Sequence, residues 1–147
     1  MRSILLCLII LTLLGCVEKS KKTKAVSEKQ SSHTVPDIHT SQNSLDWAGT
    51  YSGTLPCASC PGIEMTLTLN QDGSYTMTTA YLNENSPNSI DNKGNFRWNE
   101  AGNMITLENE EAPNQYFVGE NYIAKLDSNG HRVTGDLSNR YILQKDQ

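Results

Sequence analysis

Ile63-Glu64-Met65-Thr66-Leu67-Thr68-Leu69-Asn70 puts an apolar side chain at every second position and a polar one between each pair. That period belongs to a strand, whose successive side chains point to opposite faces, here one dry and one wet. Asp72-Gly73 follows, a pair that signals a tight hairpin. Tyr75-Thr76-Met77-Thr78-Thr79-Ala80-Tyr81 then resumes with side chains that suit a pleated surface. Two antiparallel strands are therefore expected to pair across residues 63–82.

The same signals recur on both sides. Leu45 to Thr54 mixes aromatic and small residues suited to a first strand, with Gly49 and Gly53 permitting a bulge or a close approach. Asn83 to Ser89 reads as a polar loop, Lys93 to Trp98 as a strand that turns over at Glu100 to Asn103, and Met104 to Leu107 as its return. Further strands are expected at 115–118, 122–127, 131–135 and 140–144, with Ser128-Asn129-Gly130 as a hairpin turn. No helical period intervenes. The expectation is an all-β chain, an antiparallel meander of about eight strands. Closing it into a small barrel would remove its edges and leave an interior that fills with side chains or holds one small ligand.

Upstream, Met1-Arg2 precedes an apolar run from Ile4 to Leu14, shorter than the ~20 residues of a membrane span. It ends in Leu13-Leu14-Gly15-Cys16, which resembles the lipobox of bacterial lipoproteins. The resemblance implies that residues 1–15 are a signal peptide and that Cys16 is acylated. Val17 after the cysteine, rather than Asp, implies the outer membrane, with the domain facing the periplasm. Lys19, Lys21, Lys22, Lys24 and Lys29 follow among Ser, Thr and Gln, with too little apolar surface to offset ordering entropy. Residues 16–44 are thus expected to be a lipidated, disordered tether with a reach of roughly 30 Å. Residues 45–147 form the folded domain. Their acidic balance excludes nucleic acid as a partner and leaves the membrane, reached through the N-terminal lipid.

No Gly-x-Ser-x-Gly elbow, phosphate loop or His-Glu-x-x-His is present. His131 is the one histidine of the expected domain and reads as an exposed strand residue, so an enzyme is not expected. Glu108, Glu110 and Glu111, closed by Pro113, read as a solvated hairpin tip rather than a cation site.

The chemistry concentrates in Leu55-Pro56-Cys57-Ala58-Ser59-Cys60-Pro61-Gly62. Cys7 leaves with the signal and Cys16 is capped, so Cys57 and Cys60 remain together in an oxidising compartment. As a disulfide the pair closes a very short loop, with less effect on the unfolded chain than the ~3 kcal/mol of a 15-residue loop. A redox centre needs a lowered thiol pKa, commonly from a helix N-terminus and nearby cations, whereas Glu64 is the adjacent charge. As a metal site, two thiolates suit Cu(I), with Met65 or Met77 as a conceivable thioether donor. Spacing alone favours the disulfide.

Trp47-x-Gly49-x-Tyr51-x-Gly53-x-Leu55-Pro56-Cys57-Ala58-Ser59-Cys60-x-Gly62-Ile63 resembles the N-terminal domain of the NlpE-type lipoproteins, as do Leu67-x-Leu69, Asp72-Gly73, Tyr116-Phe117-Val118-Gly119 and Leu126-Asp127-x-x-Gly130. The resemblance implies an outer-membrane lipoprotein with a lipocalin-like barrel, linked to copper tolerance and surface adhesion. It also implies an envelope-stress sensor upstream of a membrane sensor kinase. Cys57 and Cys60 fall on the positions proposed in the family to bind copper, and Cys16 on the lipidated one. Longer members carry a second domain with another cysteine pair, which this chain is expected to lack. Two alternatives remain open: a carrier of a small hydrophobic ligand, with Cys57 and Cys60 as a structural disulfide, and an interaction module docking on a kinase or a foreign surface.

Overall fold

The alternation at 63–69 forms the second strand of a closed barrel in a computed structural model that describes residues 39–83 and 88–147. The strands are β1 (Gly49–Leu55), β2 (Gly62–Leu69), β3 (Ser74–Leu82), β4 (Asn88–Trp98), β5 (Met104–Leu107), β6 (Gln115–Gly119), β7 (Tyr122–Lys125) and β8 (Ile142–Lys145). Each pairs antiparallel with the next, and β8 returns to β1 through Tyr51↔Lys145 and Ser52↔Gln144. The expected all-β meander and its closure are both present.

Register explains the core. Leu67 lies opposite Met77 and Leu69 opposite Tyr75, so the apolar sets of β2 and β3 share the inner face. Tyr51, Ile105, Leu107, Tyr116, Val118, Ile123 and Leu143 join them, all buried. Three phenols inside a small barrel need partners for their hydroxyls. Tyr51 donates to Trp47 O at 2.6 Å, Tyr75 to Glu108 O at 2.9 Å, and Tyr116 to Met65 Sδ at 3.5 Å.

One end of the barrel is capped by chain that the sequence assigns to the tether. The helical turn α1 (Ser41–Ser44) is tied down by Gln42 N–H donating to Gly102 O at 2.9 Å and by Ser41 Oγ donating to Val118 O at 2.7 Å. Trp47 Nε1 donates to Gln42 O at 2.9 Å, while its ring packs edge-on against Phe96 and Trp98 at 5.8 and 5.4 Å. The disordered reading therefore fails at residues 41–44, because polar side chains that cannot form a core can still satisfy a neighbour's backbone. The signal segment, Cys16 and the rest of the tether lie outside the described residues.

Two more expectations are corrected. β4 begins at Asn88 rather than Lys93: residues 88–95 pair with β3, and Asn88 and Ser89 lie in the strand rather than in the expected loop. The strand expected at 131–135 is reduced to one bridge, Leu126↔Arg132. There the Asp127 carboxylate accepts from Asn129 N–H at 2.9 Å and His131 N–H at 2.8 Å, curling the chain into a turn. His131 is exposed, as expected, but not in a strand. A 3-10 turn (Ser138–Tyr141) then takes Arg140 and Tyr141 out of the expected last strand, which runs instead as β8.

Candidate functional site

Antiparallel topology gathers the β1–β2, β3–β4, β5–β6 and β7–β8 connections at the end opposite α1 and Trp47. This end is the mouth. Cys57 and Cys60 lie in the β1–β2 connection, at the rim and outside the core. Their Cα atoms are 5.2 Å apart and the sulfurs are joined in a disulfide, with Cys60 Sγ 3.2 Å from Gly62 O. Ala58, Ser59 and Pro61 are exposed, so solvent reaches the turn. Both sulfurs lie on one short turn and, when reduced, can reach a single ion. Among the described residues no cluster of three or more His, Cys, Asp or Glu side chains could hold a metal. A two-sulfur donor set suits Cu(I) and falls short of the four ligands of structural zinc.

Met65 and Met77, the conceivable thioether donors, point inward and are buried. Met65 Sδ accepts the Tyr116 hydroxyl. Both methionines also line a cavity of about 260 Å³ that opens at the mouth, walled further by Leu55, Ile63, Tyr81 and Ile90. The lumen is thus filled toward the capped end and open toward the rim.

Two charged side chains enter this cavity, and sequence reading missed both. Glu110, expected on a solvated tip, turns inward and accepts from Tyr75 Oη at 2.8 Å and Asn92 Nδ2 at 2.9 Å. Lys125 occupies an inward position of β7, two residues after buried Ile123. Its ammonium donates to Pro113 O at 2.7 Å and Tyr116 Oη at 3.2 Å, and lies over the Tyr116 ring at 4.8 Å. Burial lowers the Lys125 pKa, opposed by the charge of Glu110. The Tyr75 phenol is pushed up by burial, then by its hydrogen bond to Glu110 and that carboxylate's charge. Tyr116 is raised by burial and then by Glu110. A period-2 reading of Tyr122 to Lys125 carries a signal for Lys125. None exists for Glu110, whose inward turn depends on Tyr75 and Asn92 from other strands.

Residues 51–136 match the model of the NlpE N-terminal domain family. The chain belongs to that family. Its curated relatives include the 17 kDa lipoprotein of Treponema pallidum (strain Nichols), 33% identical over 111 residues that make up 66% of this chain and 69% of that protein. The lipoprotein NlpE of Escherichia coli (strain K12) is 28% identical over 99 residues, 66% of this chain but 40% of that protein's length. A crystal structure from Shewanella oneidensis, of a protein assigned as a lipoprotein, superposes with a TM-score of 0.67 at 45% identity. It covers 73% of this chain and 95% of that one. Family membership accounts for the fold, and both curated relatives are lipoproteins.

Proposed function

We propose that this chain is a non-catalytic lipoprotein, anchored in the outer membrane through Cys16 and facing the periplasm, that serves copper homeostasis and envelope-stress sensing through its Cys57–Cys60 turn. The observation that supports this reading is the position of the turn, on the rim and outside the hydrophobic core. The pair can open and close there while the barrel stays folded. Opening is a two-electron reduction: a dithiol reductant gives up its electrons and two protons, the S–S bond breaks, and two Cys thiols form. Loss of those protons yields the thiolates that Cu(I) prefers. The oxidised pair has no such donors, so copper binding and the disulfide exclude each other. A membrane sensor kinase is the partner this reading assigns to the exposed rim.

Anaerobic competition between prereduced protein and a chromogenic Cu(I) chelator tests the proposal. The reduced parent should withdraw one Cu(I) per chain, and neither the oxidised parent nor the Cys57→Ser/Cys60→Ser protein should do so. Equal withdrawal by parent and double variant would end the copper reading.

A further inference from the structure

Tyr81 and Ile90 are large apolar side chains left 40% and 49% accessible. Neither belongs to the outer surface. Tyr81 continues the inward series Tyr75, Met77 and Thr79 on β3, while Ile90 lies opposite Thr79 and continues the series that ends at buried Phe96 on β4. They are accessible because the mouth is open. With Met65, Met77, Leu55 and Ile63 they make an apolar wall around space the protein does not fill. At ~30 Å³ for each water-sized group, the 260 Å³ admits roughly eight or nine non-hydrogen atoms. That is the size of one short alkyl chain.

The charges select the head of such a molecule. Glu110 and Lys125 line the same cavity, yet the ion pairs among the described residues, Arg97–Glu108 and Lys145–Asp46, include neither. Glu110 is held by the neutral donors Tyr75 and Asn92, and Lys125 by the neutral acceptors Pro113 O and Tyr116 Oη. A carboxylate head is drawn to Lys125 but repelled by Glu110, and an ammonium head is drawn to Glu110 but repelled by Lys125, so neither charge satisfies the pair. An uncharged group with one donor and one acceptor answers both, donating a hydrogen bond to Glu110 and accepting one from Lys125.

We propose that the mouth binds a single short alkyl or acyl chain with an uncharged donor–acceptor head of the amide or hydroxyl type. The chain lies against Met65, Met77, Tyr81 and Ile90, and the head lies between Glu110 and Lys125. This gives the small-ligand alternative a place and a chemistry. It uses neither cysteine, so it stands or falls apart from the copper reading.

The test uses the full chain in its own membranes with an alkyl amide probe carrying a terminal diazirine, followed by irradiation and peptide mapping. Adducts should concentrate on Met65, Met77, Tyr81 and Ile90, and heptanamide should suppress them at concentrations about tenfold lower than heptanoate or heptylamine. Ile90→Asp, which changes a half-exposed side chain, should lower labelling about tenfold, as should Thr79→Trp, which occupies the space. Protease resistance of each variant checks that the barrel has formed. Adducts spread equally over outward Thr66 and Thr78, or undiminished in both folded variants, would overturn the site. Equal suppression by heptanoate or heptylamine would overturn the head-group assignment.

Discussion

Tyr75 turns Glu110 from a surface acid into a lumen residue, since its hydroxyl donates both to that carboxylate and to Glu108 O. Tyr75→Phe removes both bonds and leaves Glu110 with Asn92. The cost should be about 1–3 kcal/mol, the range for a buried hydrogen bond to a charged acceptor, read as a lower urea midpoint with unchanged slope. An unchanged midpoint would mean that Glu110 spends its time in solvent. At this scale the sequence was uneven. Cys57 and Cys60 were legible because their spacing is local, and inward Met65 followed from the alternation of its strand. Glu110 was not legible, because three neighbouring acids look alike until Tyr75, on another strand, selects one.

Among the elements, β2 was read almost to the residue because half of it is dry along its length. β4 was cut short for the opposite reason. Its first half faces a mouth that stays open, so Asn88-Ser89-Ile90-Asp91-Asn92 lacks the apolar alternation that marks a strand. α1 was missed because what holds it is backbone geometry at Gly102, whose φ is +63°. A methyl group there would meet Thr40 Oγ1 at 2.8 Å and Thr40 Cβ at 2.9 Å. Gly102→Ala should therefore cost about 1–2 kcal/mol in left-handed backbone strain and loosen α1. Hydrogen exchange at the Gln42 amide, which donates to Gly102 O, should quicken while the amides of β2 keep their protection. Unaltered Gln42 exchange would show that the cap tolerates the methyl.

For the whole molecule, the buried phenols set an alkaline limit. Burial, assisted by Asp46, pushes Tyr51 up to about 12, and burial is also the leading cause of the rise at Tyr75 and Tyr116. A phenol whose folded pKa exceeds its unfolded value of ~10 contributes stability that is complete below that value. The contribution is lost as pH rises through the folded pKa. The urea midpoint should hold steady up to pH ~10 and then fall. Tyr51, Tyr75 and Tyr116 should gain tyrosinate absorbance only as the far-ultraviolet signal of the barrel is lost. A midpoint flat across that range would contradict the assignment. Barrel closure itself was legible, since eight short strands without crossover helices leave few other ways to hide both sheet edges.

The chain's two tryptophans, Trp47 and Trp98, meet edge-on at the capped end, whereas the disulfide turn and the open cavity lie at the other. The molecule therefore carries an optical label on one pole alone. Indole emission should follow the seating of α1 and stay silent when metal, reductant or an alkyl ligand arrives at the rim. A change of emission on such an addition would itself signal long-range communication along the barrel axis.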